Sequence, residues 1–167
     1  MKTGSIIAAS ALILASCMFG TENESSVPEH VGFWVGSITP QTPQIGAFVQ
    51  EEILIEMNIE ETSAYDLNVT YPESARTALT STGTWSQSND TLYLNGTECT
   101  TFDEEGNPGQ MECTVIPVPI EFYNDMFLLS LNTLVPLAPS MGITIPAVIS
   151  PEMLDGVSLS FERKGGR

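Results

Sequence analysis

The chain has 167 residues, of which 21 are Asp or Glu and only 5 are Lys or Arg, so its formal net charge is -16. Phosphate groups repel a chain this acidic, which makes nucleic acid and anionic lipid surfaces poor partners. A hydrophobic content of 42% is enough for one domain with a core and argues against disorder.

Residues 1–16 have the pattern of a cleaved export signal. Lys2 precedes an apolar run over residues 6–15, which is shorter than the about 20 residues that a membrane-spanning helix needs. The tetrad Leu14-Ala15-Ser16-Cys17 resembles the lipobox of bacterial lipoproteins. The resemblance implies cleavage before Cys17, lipidation of its thiol and a cell-envelope location, in the outer membrane if the organism has one.

Residues 17–30 then follow as the lipidated cysteine and an acidic tether, and residues 31–167 as the folded domain. The tether is small and polar, as expected of a segment that holds a domain off a surface. His30, the one histidine, ends the tether and is expected to be solvated, since no second His or free Cys is present to form a metal site with it.

Beyond the tether, apolar residues recur with period two, which predicts short strands. Ile53, Ile55, Met57 and Ile59 alternate with more polar residues, and a second alternating segment runs from Tyr65 to Tyr71. About nine strands result, the others being expected near residues 32–38, 77–86, 91–95, 97–102, 111–116, 118–123, 126–131 and 157–163. Short strands joined in chain order by tight turns favour an antiparallel up-and-down β-barrel of about 8–9 strands, with a β-sandwich as the alternative.

Cys99 and Cys113 remain as an even pair once Cys17 is lipidated, and an oxidising compartment favours a disulfide between them. The residues at 103–109 have the composition of a turn, and the two cysteines are equally distant from Gly106. This symmetry predicts that they face each other on two antiparallel strands.

Residues 132–156 form a long apolar connection before the last strand, with four prolines and only Glu152 and Asp155 as charges. Long connections in compact domains are usually functional. Two interpretations stay open: a plug that belongs to the core, or a lid or binding surface for a ligand or partner. The second role would fall to Leu137, Met141, Ile143 and Ile145.

The domain resembles the lipocalins and their calycin relatives at both ends. Gly32-Phe33-Trp34 is similar to the lipocalin G-x-W signature, and Arg163 is similar to the residue that packs across that tryptophan. The hairpin that contains Trp85 resembles hairpins of bacterial lipocalin-like lipoproteins. The resemblance implies a barrel closed by Gly32, Trp34 and Arg163. Alternation in the last strand also puts Arg163 on the apolar face, where the ring of Trp34 could hold its charge. The alternative is that Arg163 emerges at the rim of the domain and is solvated.

No catalytic or metal-binding motif stands out, so the sequence predicts a protein that is not an enzyme and needs no cofactor or metal. The acidic loop at 103–107 departs from a calcium loop at Pro108. Two functions remain: a membrane-anchored barrel that binds or carries a small apolar ligand, or a filled barrel that serves as an envelope interaction or structural module with a protein partner. The interior volume would distinguish them.

Overall fold

The computed structural model describes residues 27–43, 45–119, 122–123, 125–141, 154 and 156–165. Of the predicted functional residues, Cys17, Ile143 and Ile145 lie outside this part of the chain, as does the side chain of Met141. The described strands are β1 (Gly32–Ile38), β2 (Ile53–Ile59), β3 (Ala64–Tyr71), β4 (Arg76–Ser88), β5 (Thr91–Phe102), β6 (Pro108–Gln110), β7 (Ile116–Pro119), β8 (Met126–Ser130) and β9 (Ser158–Lys164). The described residues also form one α-helical turn, α1 (Leu131–Leu134), and two 3-10 segments, Gly46–Phe48 and Val135–Met141.

All nine strands belong to one antiparallel sheet, which confirms the prediction of an all-β fold. The strand order is β6-β5-β4-β3-β2-β1-β9-β8, and β7 pairs with β5 on the edge that β6 also uses. Strands β1 to β6 therefore follow one another as a meander, as expected from their tight turns, and the last strand, β9, inserts between β1 and β8. The sheet is not closed by a ladder among the described residues.

The composition of β7 explains where the ladder stops. Its sequence is Ile-Pro-Val-Pro, and a proline has no N–H to donate. The hydrogen bonds to β5 can therefore be donated only by Ile116 and Val118, which pair with Leu94 and Leu92. In an antiparallel strand the intervening residues point their backbone groups to the opposite edge. That edge of β7 consequently lacks donors for a further strand.

The core lies on the inner face of the sheet, where the predicted alternation holds. In β2 and β3 every second residue is buried, including Ile53, Met57, Tyr65 and Val69. Aromatic residues from β1, β8 and β9 complete this face, namely Trp34, Phe127 and Phe161, each exposed by 1% or less. Pleating alone accounts for the pattern, because successive side chains of a strand point to opposite faces.

Two strand predictions need correction. Residues 91–95 and 97–102 were expected as separate strands but form the single strand β5, because Gly96 lies at a bulge opposite Gly83 rather than at a turn. A Cβ on Gly83 would approach Asn95 O to 2.1 Å, so the two backbones are too close for a side chain there. Residues 111–115, expected within a strand, are irregular.

Candidate functional site

The structure brings Gly32, Trp34 and Arg163 together at the end of the sheet where the chain enters β1. Trp34 and Arg163 are direct partners across β1 and β9, and the guanidinium carbon lies 4.4 Å from the centroid of the fully buried Trp34 ring. A Cβ on Gly32 would approach Arg163 Nη1 to 2.7 Å, so a side chain at position 32 would displace the arginine. This geometry places a cation over an aromatic face.

The Arg163 guanidinium also holds the chain that leads into β1. Its Nη1 donates to Val31 O at 2.5 Å, and its Nη2 donates to Glu29 O. Its Nε lies 3.2 Å from Asp125 Oδ1, although the angle is unfavourable for a hydrogen bond. Because the Asp125 side chain is 67% exposed, we take this ion pair to be weak. The two carbonyl contacts are therefore the main polar partners of the buried arginine.

His30 is buried, so the expectation of a solvated histidine was wrong. Its ring packs edge-on against Trp85 at 4.6 Å, and its carbonyl oxygen accepts a hydrogen bond of 2.9 Å from Trp34 Nε1. Its Nε2 is buried with no hydrogen-bond partner in the described part of the chain. Burial lowers the pKa of His30 below its ordinary value of 6.5, because desolvation disfavours the charged imidazolium.

The predicted disulfide between Cys99 and Cys113 is confirmed, with the two Cα atoms 5.4 Å apart. The predicted register is wrong, however. Because Phe102 pairs with Pro108, the hairpin brings Cys99 opposite Met111, whose N–H donates to Cys99 O at 3.2 Å. Cys113 lies two residues farther along and reaches back over Gly96, where an added Cβ would lie 3.1 Å from both sulfur atoms.

The described part of the long apolar connection packs into the core. Ser130 caps α1 by accepting from Asn132 N, and the chain continues as the 3-10 segment Val135–Met141. Leu134 and Leu137, exposed by 5% and 4%, point into the interior. Leu137 thus acts as part of a plug, which is one of the two interpretations left open by the sequence.

Among the described residues, the apolar space at the centre of the domain is nearly filled. It has a volume of about 10 Å³, whereas a single water needs roughly 10–15 Å³ and ligand pockets usually have about 300–1,000 Å³. Apolar side chains from six strands, α1 and the 3-10 segment line it: Ile55, Met57, Leu67, Val69, Leu94, Ile116, Val118, Leu129, Leu134, Leu137 and Phe161.

A larger space opens at the opposite end of the sheet from Trp34. Two adjoining hollows, of about 390 and 690 Å³, share the residues Gln50, Glu51, Arg76, Phe102 and Glu104. We call the two hollows together the end cleft. Its walls come from the loop after the first 3-10 segment, the β3–β4 turn and the β5–β6 hairpin. The first hollow is also lined by Phe48, Val49, Ile53, Tyr71, Asp103 and Pro139, and the second by Ser74, Ala75, Thr77, Glu105 and Gly106.

The end cleft combines carboxylates with one guanidinium. The guanidinium carbon of Arg76 lies 4.2 Å from the centroid of the Tyr71 ring, and Ser74 Oγ donates to Glu51 Oε1 at 3.1 Å. Burial raises the pKa of Tyr71, which Arg76 opposes and Glu51 reinforces. Hydrogen bonds from the side chain and backbone of Asn107 lower the pKa of Asp103, so this carboxylate stays ionised at neutral pH.

Sequence analysis had not singled out the end cleft. Its residues come from four segments that are distant in the chain, and the acidic loop at 103–107 has no recognisable binding motif in the sequence. The usable signal was Arg76, one of 5 basic residues in the chain, which follows shortly after a strand predicted to end at Tyr71. In so acidic a chain, a basic residue close to an aromatic residue at the end of a strand is a signal for a local binding site.

Within the described residues, no group of three or more His, Cys, Asp or Glu is arranged to hold a metal ion. The helices described there are too short or too polar to span a bilayer. Comparison of the chain with protein-family models, curated proteins and solved structures found no match. The functional argument therefore depends on the residues and their geometry.

Proposed function

We propose that this protein is a membrane-anchored lipoprotein of the bacterial envelope, with a lipocalin-like barrel that is filled and binds a partner through its surface without catalysis. The observation that carries the proposal is the central space of about 10 Å³. A small apolar ligand cannot enter a space of that size without displacing core side chains. The filled barrel is therefore favoured over the carrier.

The barrel itself is supported by the strand order and by contacts between the ends of the sheet. β7 and β8 contact each other, and Phe122, between them in sequence, forms an isolated bridge with Phe127 of β8. The packing of Arg163 on Trp34 matches the arrangement that the lipocalin resemblance implies. A β-sandwich would require the meander to divide into two sheets, whereas the strands share one continuous order.

The proposed anchor gives the domain an orientation. The chain enters β1 beside Trp34, while the end cleft adjoins the start of β2, at the opposite end of the β1–β2 pair. β1 has 7 residues and therefore spans roughly 20 Å at about 3.3 Å per residue. With a lipid on Cys17, the end cleft would face away from the membrane, where a partner can reach it.

The filled interior is tested by titrating the Cys17→Ser full chain with a fluorescent fatty acid. We expect no saturable binding. As a control, benzene is added to Leu129→Ala in that background, because the enlarged interior of this variant should admit so small an apolar probe while that of the parent should not. Saturable binding of one fatty acid per chain to the unenlarged interior would contradict the proposal and favour the carrier.

The anchor is tested separately by the intact mass of protein extracted from membranes. We expect a mature chain that begins at Cys17 and carries acyl chains, because two or more chains are needed for stable attachment. The Cys17→Ser protein should leave the detergent phase. A mature chain that begins elsewhere would refute the anchor without affecting the test of the interior.

A further inference from the structure

The charge of the end cleft indicates which ligands it can accept. Four carboxylates line it, those of Glu51, Asp103, Glu104 and Glu105, against the single guanidinium of Arg76. The whole chain adds to this field with its net charge of -16. An anionic ligand would be repelled on approach, whereas a cationic one would be attracted and its association accelerated.

The aromatic walls indicate that the ligand has apolar parts as well. Phe48 lines the cleft while remaining 40% exposed, and Phe102 lines both hollows. Arg76 already covers the face of Tyr71, which leaves the rings of Phe48 and Phe102 for an incoming group. Phenyl rings bind the alkyl stems of Lys and Arg as well as their charged heads.

We propose that the end cleft binds a basic, partly apolar peptide segment of a partner protein, an inference that rests on the surface-binding role proposed above. The two hollows adjoin and run from Pro139 to Gly106, so they can accept successive side chains of an extended segment. Carboxylates at the rim contact the Lys or Arg heads, and the two phenylalanines contact the stems and apolar side chains. Charge complementarity thus makes the cleft specific for basic segments, and contacts with the aromatic walls add affinity.

The experiment measures binding of a capped Arg-Leu-Arg-Leu-Arg peptide, labelled with a neutral fluorophore, to the full-length protein in phosphatidylcholine vesicles at about 0.15 M NaCl, where the Debye length is about 8 Å. We expect saturable binding that weakens as salt increases. Glu51→Gln with Glu104→Gln should weaken it at least about fivefold, the loss of one or two charge pairs. The glutamine at 51 keeps an acceptor for Ser74.

Two matched controls separate the cleft from the overall charge. Glu61→Gln with Asp66→Asn removes two exposed carboxylates at the opposite end of β2 and β3, and should change affinity less than about twofold. Phe48→Ala should weaken binding severalfold, whereas Phe33→Ala, a phenylalanine of similar exposure (38%) on β1, should not.

The proposal would be overturned if the two double variants lost the same amount of peptide affinity. It would also be overturned if the peptide showed no saturable binding to the parent. Equally tight binding of argininamide alone would also overturn it, because the ligand would then be a small cation rather than a peptide segment. Vesicle flotation of the same samples reports the lipid anchor independently. A failed peptide titration with intact flotation would therefore remove only the inference about the cleft, and the fatty-acid titration still tests the filled interior.

Discussion

Arg163 joins the first strand, the last strand and the segment before β1 through one buried guanidinium. Its side chain is 7% exposed, packs on Trp34 and donates to the carbonyl groups of Val31 and Glu29. A planar group with five donors suits this combination of stacking and hydrogen bonding better than an ammonium does. The contacts of Arg163 therefore hold β9 beside β1 and also fix the segment that leads into β1.

Replacing Arg163 should destabilise the fold strongly. We expect Arg163→Ala to lower the free energy of unfolding by about 3 kcal/mol, because two backbone carbonyl groups and the buried Trp34 face lose their charged partner. Arg163→Lys should recover only part of this. Lys164→Ala is the matched control, since Lys164 and Glu162 form an exposed ion pair that contributes little to stability. Urea denaturation gives the values, and equal losses at 163 and 164 would contradict the assigned role.

His30 makes stability depend on pH above the range where carboxylates titrate. Because burial lowers its pKa in the folded state, the unfolded chain binds the proton more tightly. The contribution of His30 to the free energy of unfolding is complete at pH values well above 6.5, its pKa in the unfolded chain. The contribution is lost as the pH falls through 6.5 toward the lower pKa of the folded state. The lowered pKa values of Asp103 and Glu162 start from 3.8 and 4.5, so their effects lie below this window.

We expect the free energy of unfolding to fall between pH 7.5 and 5. His30→Phe should reduce that slope, since phenylalanine keeps an aromatic ring against Trp85 but takes up no proton. Denaturant unfolding at four or five pH values measures both slopes. An unchanged slope in His30→Phe would show that other groups cause the dependence.

Among the elements, the β5–β6 hairpin depends most on covalent support. β6 has 3 exposed residues, and the chain after it is irregular up to Ile116. Hydrogen bonds of so short a strand contribute little, so the bond between Cys99 and Cys113 holds residues 111–115 against β5. The same hairpin carries Asp103 and Glu104 into the end cleft, which makes the disulfide a support for that site.

Loss of the disulfide should cost about 2–3 kcal/mol on the entropic model for a separation of 14 residues. We expect the double variant Cys99→Ala with Cys113→Ala to unfold at lower urea concentration. Reductant should destabilise the parent by a similar amount and leave the variant unaffected. Two reactive thiols at these positions in denatured, unreduced protein would contradict the structure.

The prolines of β7 show how a single element can end a sheet. Pro117 is exposed, and both prolines remove donors from the edge that β8 would otherwise meet. Proline is a known means of protecting sheet edges from pairing with other chains. The edge of β7 that faces β8 thus has no continuous ladder in the described part of the chain, yet it resists pairing with a strand of another chain because its prolines cannot donate hydrogen bonds.

At the level of the molecule, 21 acidic residues against 5 basic ones leave a large unbalanced charge on a small fold. Like charges repel one another more in the compact state, and added salt screens that repulsion. We expect the free energy of unfolding to rise between about 0.01 and 0.15 M NaCl, because the Debye length falls from about 30 Å to about 8 Å. Glu61→Gln with Asp66→Asn should reduce the increase, and a decrease in stability with salt would contradict this account.

Several features follow from local rules, and the sequence was sufficient to predict them. The pleat of a strand decides which of two neighbouring residues is buried, so the alternation in β2 and β3 was predictable residue by residue. With Cys17 assigned to the predicted lipid anchor, cysteine parity was enough to pair Cys99 with Cys113. The similarity of Gly32, Trp34 and Arg163 to a lipocalin pattern suggested that they meet, and alternation along the last strand had already put Arg163 on the apolar face.

Other features depend on contacts between residues distant in the chain, and only the tertiary structure settles them. The register of Cys113 depends on how β6 pairs with β5, and the burial of His30 depends on Trp85, 55 positions later. The small volume of the central space results from the side-chain volumes of eight elements, so composition cannot give it. The end cleft likewise exists only because four segments that are distant in the chain meet at one end of the sheet.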